Sequence, residues 1–84
     1  MKTEGEIAAE IVRITSEQAG VPQRKITTET TFYEDMGFDS LDDVEMLMAV
    51  EDCFNLSIND EEAEKIKTVG QAAAFVHARL EAAP

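Results

Sequence analysis

A chain of 84 residues has room for one small hydrophobic core and little else, so a second domain or a deep, closed substrate cleft is not expected. Its 18 acidic residues against 7 basic ones give a net charge of -11, the opposite of the basic footprint that nucleic acid requires. The single cysteine, Cys53, excludes an internal disulfide and a multi-cysteine metal site.

The first residues, Met1-Lys2-Thr3-Glu4-Gly5-Glu6, lead into an amphipathic pattern rather than the apolar centre of a cleavable signal. The longest strictly apolar runs, Met46 to Val50 and Ala72 to Val76, are each five residues long, far short of a membrane span. A cytoplasmic protein without membrane insertion is the expectation. The acidity is also lopsided. Between Ile26 and Glu64 there is no Lys or Arg, yet 13 of the 18 acids lie there. Such a field favours basic protein surfaces as partners and speeds their encounter, although it also serves solubility alone.

In chain order, Ile7, Ile11 and Ile14 recur at helical spacing and predict a first helix from about Thr3 to Ala19, stopped by Gly20 and Pro22. Val21 to Met36 is polar and threonine-rich without strict alternation, and predicts a long ordered loop pinned by Ile26 and Phe32. A second helix is expected from about Ser40 to Asn55. At 100° per residue its core arc holds Met46, Leu47, Val50, Cys53 and Phe54. The opposite side carries Leu41, Val44 and Met48 among Glu45, Glu51 and Asp52. Single exposed apolar residues such as Val44 and Met48 are common, but apolar knobs mixed with carboxylates on a stripe that starts beside Ser40 favour docking against apolar pockets ringed by Arg or Lys. Asn59 or Asp60 caps a short third helix over Asp60 to Lys65, and Thr68 caps a fourth from about Val69 to Leu80, with Glu81 to Pro84 expected to fray. The fold class is therefore all-α: a small four-helix bundle, one helix short, forming a single domain over residues 1–84.

The chemistry concentrates at the start of the second helix. There a glycine-bearing loop, Asp35-Met36-Gly37-Phe38, delivers Asp39-Ser40-Leu41-Asp42-Asp43. A helix N-terminus presents unpaired N–H groups and the positive end of the helix dipole, so an anion attached at Ser40 is well placed. The competing explanation is a simple cap, with Ser40 and Asp43 forming a capping box. Catalysis has little support. His77 is the only histidine, on the last helix, and no nucleophile elbow, phosphate loop, dinucleotide fingerprint, calcium loop or metal-ligand cluster is present. The acidic neighbours of Cys53 would raise a thiol pKa rather than activate it.

The run Asp35 to Asp42, then Val44-Glu45, then Asp60-Glu61-Glu62-Ala63-Glu64-Lys65-Ile66 and Thr68-Val69 resembles an acyl carrier protein over nearly the whole chain. The resemblance implies that a phosphopantetheinyl transferase moves 4′-phosphopantetheine from coenzyme A onto Ser40, with Asp39 and Leu41 flanking the attachment point. It further implies a non-catalytic protein, monomeric when free. Its partner face would comprise Asp39, Leu41, Asp42, Val44, Glu45, Met48, Glu51 and Asp52, and would meet basic patches on a ketosynthase, an acyltransferase and other synthase enzymes. An acyl chain folded back between the helices would be lined by Met46, Val50, Phe54, Ala63, Ile66 and Ala72. Two departures stand out. Phe38 replaces a usual small residue, and Asp43 replaces a less polar one within the core arc. Burying an uncompensated carboxylate is costly, so Asp43 argues for a partly polar cargo, as in polyketide synthesis, against the plain alkyl cargo of fatty acid synthesis. A peptidyl or aminoacyl carrier, a non-carrier acidic interaction module, and phosphorylation of Ser40 are the alternatives.

Self-repulsion at a net charge of -11 weakens the compact state. Moderate salt is therefore expected to raise the melting temperature, and a melting temperature unchanged or lowered by salt contradicts this.

Overall fold

A computed structural model describes residues 2–82. Four helices follow one another: α1 (Glu4–Ala19), α2 (Ser40–Phe54), α3 (Asp60–Glu64) and α4 (Val69–Ala82). Among the described residues there is no strand, and the long α1–α2 connection is present as expected, apart from one 3₁₀ turn at Gln23–Lys25 that hydrophobic patterning does not reveal. No helix of the structure is long and apolar enough to cross a membrane.

Helix α1 starts at a capping box in which the Thr3 hydroxyl accepts from the Glu6 N–H at 3.2 Å and the Thr3 N–H donates to the Glu6 carboxylate at 2.9 Å. It ends at Gly20 in the left-handed conformation, with φ 70°. Its inward stripe of Ile7, Ile11 and Ile14 is buried, and it packs on α2 and α4. The Gln18 amide reaches Asp42 and Glu45, whereas Glu10 meets Cys53, so α1 and α2 run antiparallel.

The connection is held to the rest by more than its apolar anchors. Ile26 and Phe32 are buried as expected. In addition, the Phe32 N–H donates to the Lys67 carbonyl, the Val69 N–H to Thr30, and the Gly70 N–H to Thr28, around a single antiparallel bridge between Thr31 and Thr68. The approach is so close that a Cβ on Gly70 would lie 2.9 Å from the Thr28 carbonyl oxygen. Phe38 turns inward, 5% exposed, and its ring stacks on that of Phe32 with centroids 5.9 Å apart.

Three sequence expectations need correction. The cap of α2 is Asp39 paired with Asp42, not Ser40 with Asp43, because the extended backbone required of an N-cap falls at Asp39. Cys53 is exposed, not part of the core. It lies on the α1 side of the arc, where its thiol donates to Glu10 at 3.3 Å. Desolvation pushes the thiol pKa up first, and the Glu10 hydrogen bond adds to it. Finally, α4 continues through Glu81 and Ala82 rather than fraying at Glu81, and His77 lies between Glu4 and Glu81 at 3.6 and 3.2 Å. The expected fraying of Ala83 and Pro84 falls outside the described residues.

Helix α3 buries none of its own residues. It is held by Ile66, which follows it into the core, and by Arg79, which donates to Glu62 and to the Ser57 carbonyl while lying over the Phe75 ring.

Phe32 is fully buried and supports Phe38, so it ties the loop to the start of α2. Phe32→Ala should cost about 3–5 kcal/mol, a large share of the ~5–15 kcal/mol available to a domain. Urea unfolding is the measurement, and a loss below about 1 kcal/mol contradicts this role.

Candidate functional site

The segment before α2 makes a sharp entry. Gly37 adopts φ 69°, a left-handed conformation that an L side chain strains to reach. With Phe38 drawn into the core, Asp39 is left extended at φ -93° and ψ -176° as the helix cap. The Asp42 N–H donates to Asp39 Oδ1 at 2.9 Å, and the Asp39 N–H donates to Asp42 Oδ2 at 3.2 Å. These reciprocal bonds occupy two of the exposed N–H groups at the helix start. Ser40 is the first helical residue, exposed, and its hydroxyl takes no part in the capping box. The N–H groups of Ser40 and Leu41 have no intrahelical acceptor, as at any first turn.

This arrangement suits a phosphodiester on Ser40. The hydroxyl projects to solvent without a capping task, and two N–H donors plus the positive helix end lie beside it. The carboxylates of Asp39 and Asp42 keep their charge, but the cap points one oxygen of each at a backbone N–H. Binding an anion here is thus compatible with the fold, and the acids around it remain available to a basic partner.

The outer face of α2 matches the sequence pattern. Leu41, Val44 and Met48 are 64%, 52% and 57% exposed, and Glu45 and Asp52 are exposed beside them. Not every acid there is equally available. The Gln18 amide donates to Asp42 Oδ1 at 3.2 Å and to Glu45 Oε1 at 3.1 Å, holding the two carboxylates in place from α1. Glu51 is half-buried, and its Oε2 accepts the Ile58 N–H at 2.7 Å, so it also fixes the segment leading to α3. Sequence reasoning missed Gln18 because the link spans 24 residues and no local pattern marks it. The Asp39–Asp42 pair did carry a readable signal, the Asp-x-x-Asp spacing.

The expected chain-lining residues come together. Met46, Val50, Phe54, Ile66 and Ala72 are buried in one apolar cluster, with Ala63 packed against it. They all belong to the one apolar cluster among the described residues. A separate open groove of about 470 Å³, lined by Glu62, Lys65, Ile66, Gln71, Ala74 and Phe75, shares only Ile66 with that set.

Asp43 is the exception on the inner face of α2. Its side chain is half-buried, and its Oδ1 atom is buried without a hydrogen-bond partner. Desolvation raises its pKa, partly opposed by the charge of Lys67. The folded state therefore keeps this proton to higher pH than the unfolded chain does. As pH rises through the carboxylate range, the unfolded state loses its proton first, and folding is progressively disfavoured. Asp43→Asn removes that titration. Its melting-temperature advantage over wild type should be smallest in acid and grow toward neutral pH, and a difference independent of pH contradicts the assignment.

The profile of the family described as "Phosphopantetheine attachment site" matches residues 9–76, a span that runs from within α1 to within α4 and includes all of α2 and α3. A domain of this family is where 4′-phosphopantetheine is attached covalently. With the helical bundle and the match over most of its length, the chain belongs to the phosphopantetheine attachment family and has the role of a carrier protein.

Proposed function

We propose that Ser40 bears the 4′-phosphopantetheine and that the protein carries acyl intermediates as thioesters among the enzymes of fatty acid or type II polyketide biosynthesis. The observation that carries this reading is the exposed Ser40 hydroxyl, held at the first position of α2 by a cap that does not use it. The prosthetic group supplies a thiol on a long arm, at which acyl groups are held as thioesters. The chain's own residues do the remaining work. Asp39 and Asp42 fix the helix start, Ser40 provides the attachment oxygen, and Leu41, Val44, Glu45, Met48 and Asp52 offer partner enzymes an acidic, apolar-studded face.

Those partners are a phosphopantetheinyl transferase, then a ketosynthase, an acyltransferase and related synthase enzymes, each approaching through a basic patch. Docking of this kind relies on charge for fast encounter and on a few apolar knobs for fit. A net charge of -11 also favours a free monomer in the cytoplasm between encounters. The chain supplies no catalytic group of its own in this reading. His77 sits by Glu4 at the start of α1, whereas Gln18, near its end, meets the first turns of α2. The rise of an α-helix separates Glu4 from Gln18 by about 20 Å, so His77 and Ser40 occupy opposite ends of the bundle. Acyl rather than peptidyl cargo is supported by the dense acidity of α2, and the unpaired Asp43 oxygen favours a cargo with polar groups.

The direct test is incubation with coenzyme A and a promiscuous transferase, followed by intact-mass measurement. Wild type should gain one phosphopantetheine increment and Ser40→Ala none. Ser40→Ala should remain folded because the capping box survives it, so a missing increment is not a folding artefact. An increment on the variant, or none on wild type, contradicts the assignment. Glu45→Lys should slow loading by roughly three- to tenfold through a weaker encounter, with little change in helicity. Glu51→Lys should slow loading too, but it also loses the Ile58 bond and should lower the melting temperature. Unchanged loading in both variants contradicts the docking face.

A further inference from the structure

The first inward-facing side chain after Ser40 on α2 is neither apolar nor paired. Ser40 and Asp43 are neighbours across a single helical turn. One is exposed to solvent, while the other sends a carboxylate oxygen into the bundle. The inner face then continues with Met46, Leu47, Val50 and Phe54, all buried. A chain tethered at Ser40 and turning inward along α2 therefore meets Asp43 before it reaches any apolar wall.

That encounter has opposite consequences for two classes of cargo. Asp43 Oδ1 already lacks a hydrogen-bond partner, and an alkyl chain laid over the side chain would remove water from what remains exposed. Lys67, from the linker between α3 and α4, influences Asp43 through its charge but makes no ion pair with it among the described residues. A chain bearing a hydroxyl near its thioester brings the missing donor. The bond it forms is charge-assisted, stronger than one between neutral groups.

We propose that Asp43 is a specificity-determining residue that keeps plain alkyl chains out of the bundle and admits chains whose hydroxyl hydrogen-bonds its inward oxygen. The proposal rests on Ser40 being the tether and names the cargo class that the tether selects.

The test loads apo protein with acetyl-, octanoyl- or β-hydroxyoctanoyl-pantetheine from the corresponding coenzyme A thioesters, and measures thioester half-life in hydroxylamine. On wild type, octanoyl should be cleaved as fast as acetyl, which is too short to enter. β-Hydroxyoctanoyl should survive about tenfold longer or more, as a hydrogen bond to a charged acceptor provides. On Asp43→Leu the order should invert, with octanoyl surviving about tenfold longer than on wild type once the desolvation cost is gone. Asp43→Asn keeps an acceptor of the same shape without the charge, and should still protect the hydroxylated chain. Octanoyl protected on wild type as long as on Asp43→Leu, or a hydroxyl that makes no difference on wild type, overturns the proposal while leaving the tether standing. Failure of wild type to load at all overturns both. If the Leu variant does not fold, the wild-type and Asn comparisons alone decide.

Discussion

The reciprocal bonds between Asp39 and Asp42 determine where α2 begins, and the rest of the site follows from that starting point. Because the cap is made one residue before the serine and three residues before a second aspartate, Ser40 enters the helix with its hydroxyl uncommitted. Had Ser40 been the cap, its oxygen would have accepted a backbone N–H and turned back over the helix end. The fold reinforces this register from beneath. Phe38 is stacked against Phe32, and Gly37 supplies the left-handed turn that lets Phe38 face inward while Asp39 faces outward.

From that fixed start α2 serves two surfaces at once. Its inner arc supplies Met46, Leu47, Val50 and Phe54 to the common core, and its outer arc supplies exposed Leu41, Val44 and Met48 among carboxylates. A helix used only for packing would not need the second set. Some of the carboxylates have structural work as well: Gln18 holds Asp42 and Glu45 from α1, and Glu51 holds the approach to α3. The acidic face is thus partly preorganised, which lowers the side-chain ordering cost when a partner docks.

Much of this was legible in the sequence, for local physical reasons. The isoleucine spacing of α1, the stop at Gly20 and the acidic first turn of α3 depend on neighbours within one or two turns. On the helical wheel of α2 the core arc and the outer stripe separate cleanly except at Cys53, because a wheel shows direction but not which neighbouring helix reaches that far. Phe38 was legible as an oddity, a bulky ring near Ser40, but its destination depended on Phe32 across a turn. The bonds from the connection to residues 67–70, the Gln18 link and the Arg79 clamp join positions distant in sequence, and no residue type announces them. Asp43 is the informative case. Its polarity on an apolar arc was visible from spacing alone, whereas the absence of a partner for its buried oxygen required the fold.

The central claim is that one serine hydroxyl, left out of its own helix cap, is the tether. Its most direct test is peptide-level fragmentation mass spectrometry of the protein purified from its native host. The account predicts a phosphopantetheine ejection signal from the peptide containing Ser40, with the modification mapped to that side chain. A modification mapped to any other residue, or a Ser40 peptide bearing a simple phosphate in its place, would contradict it.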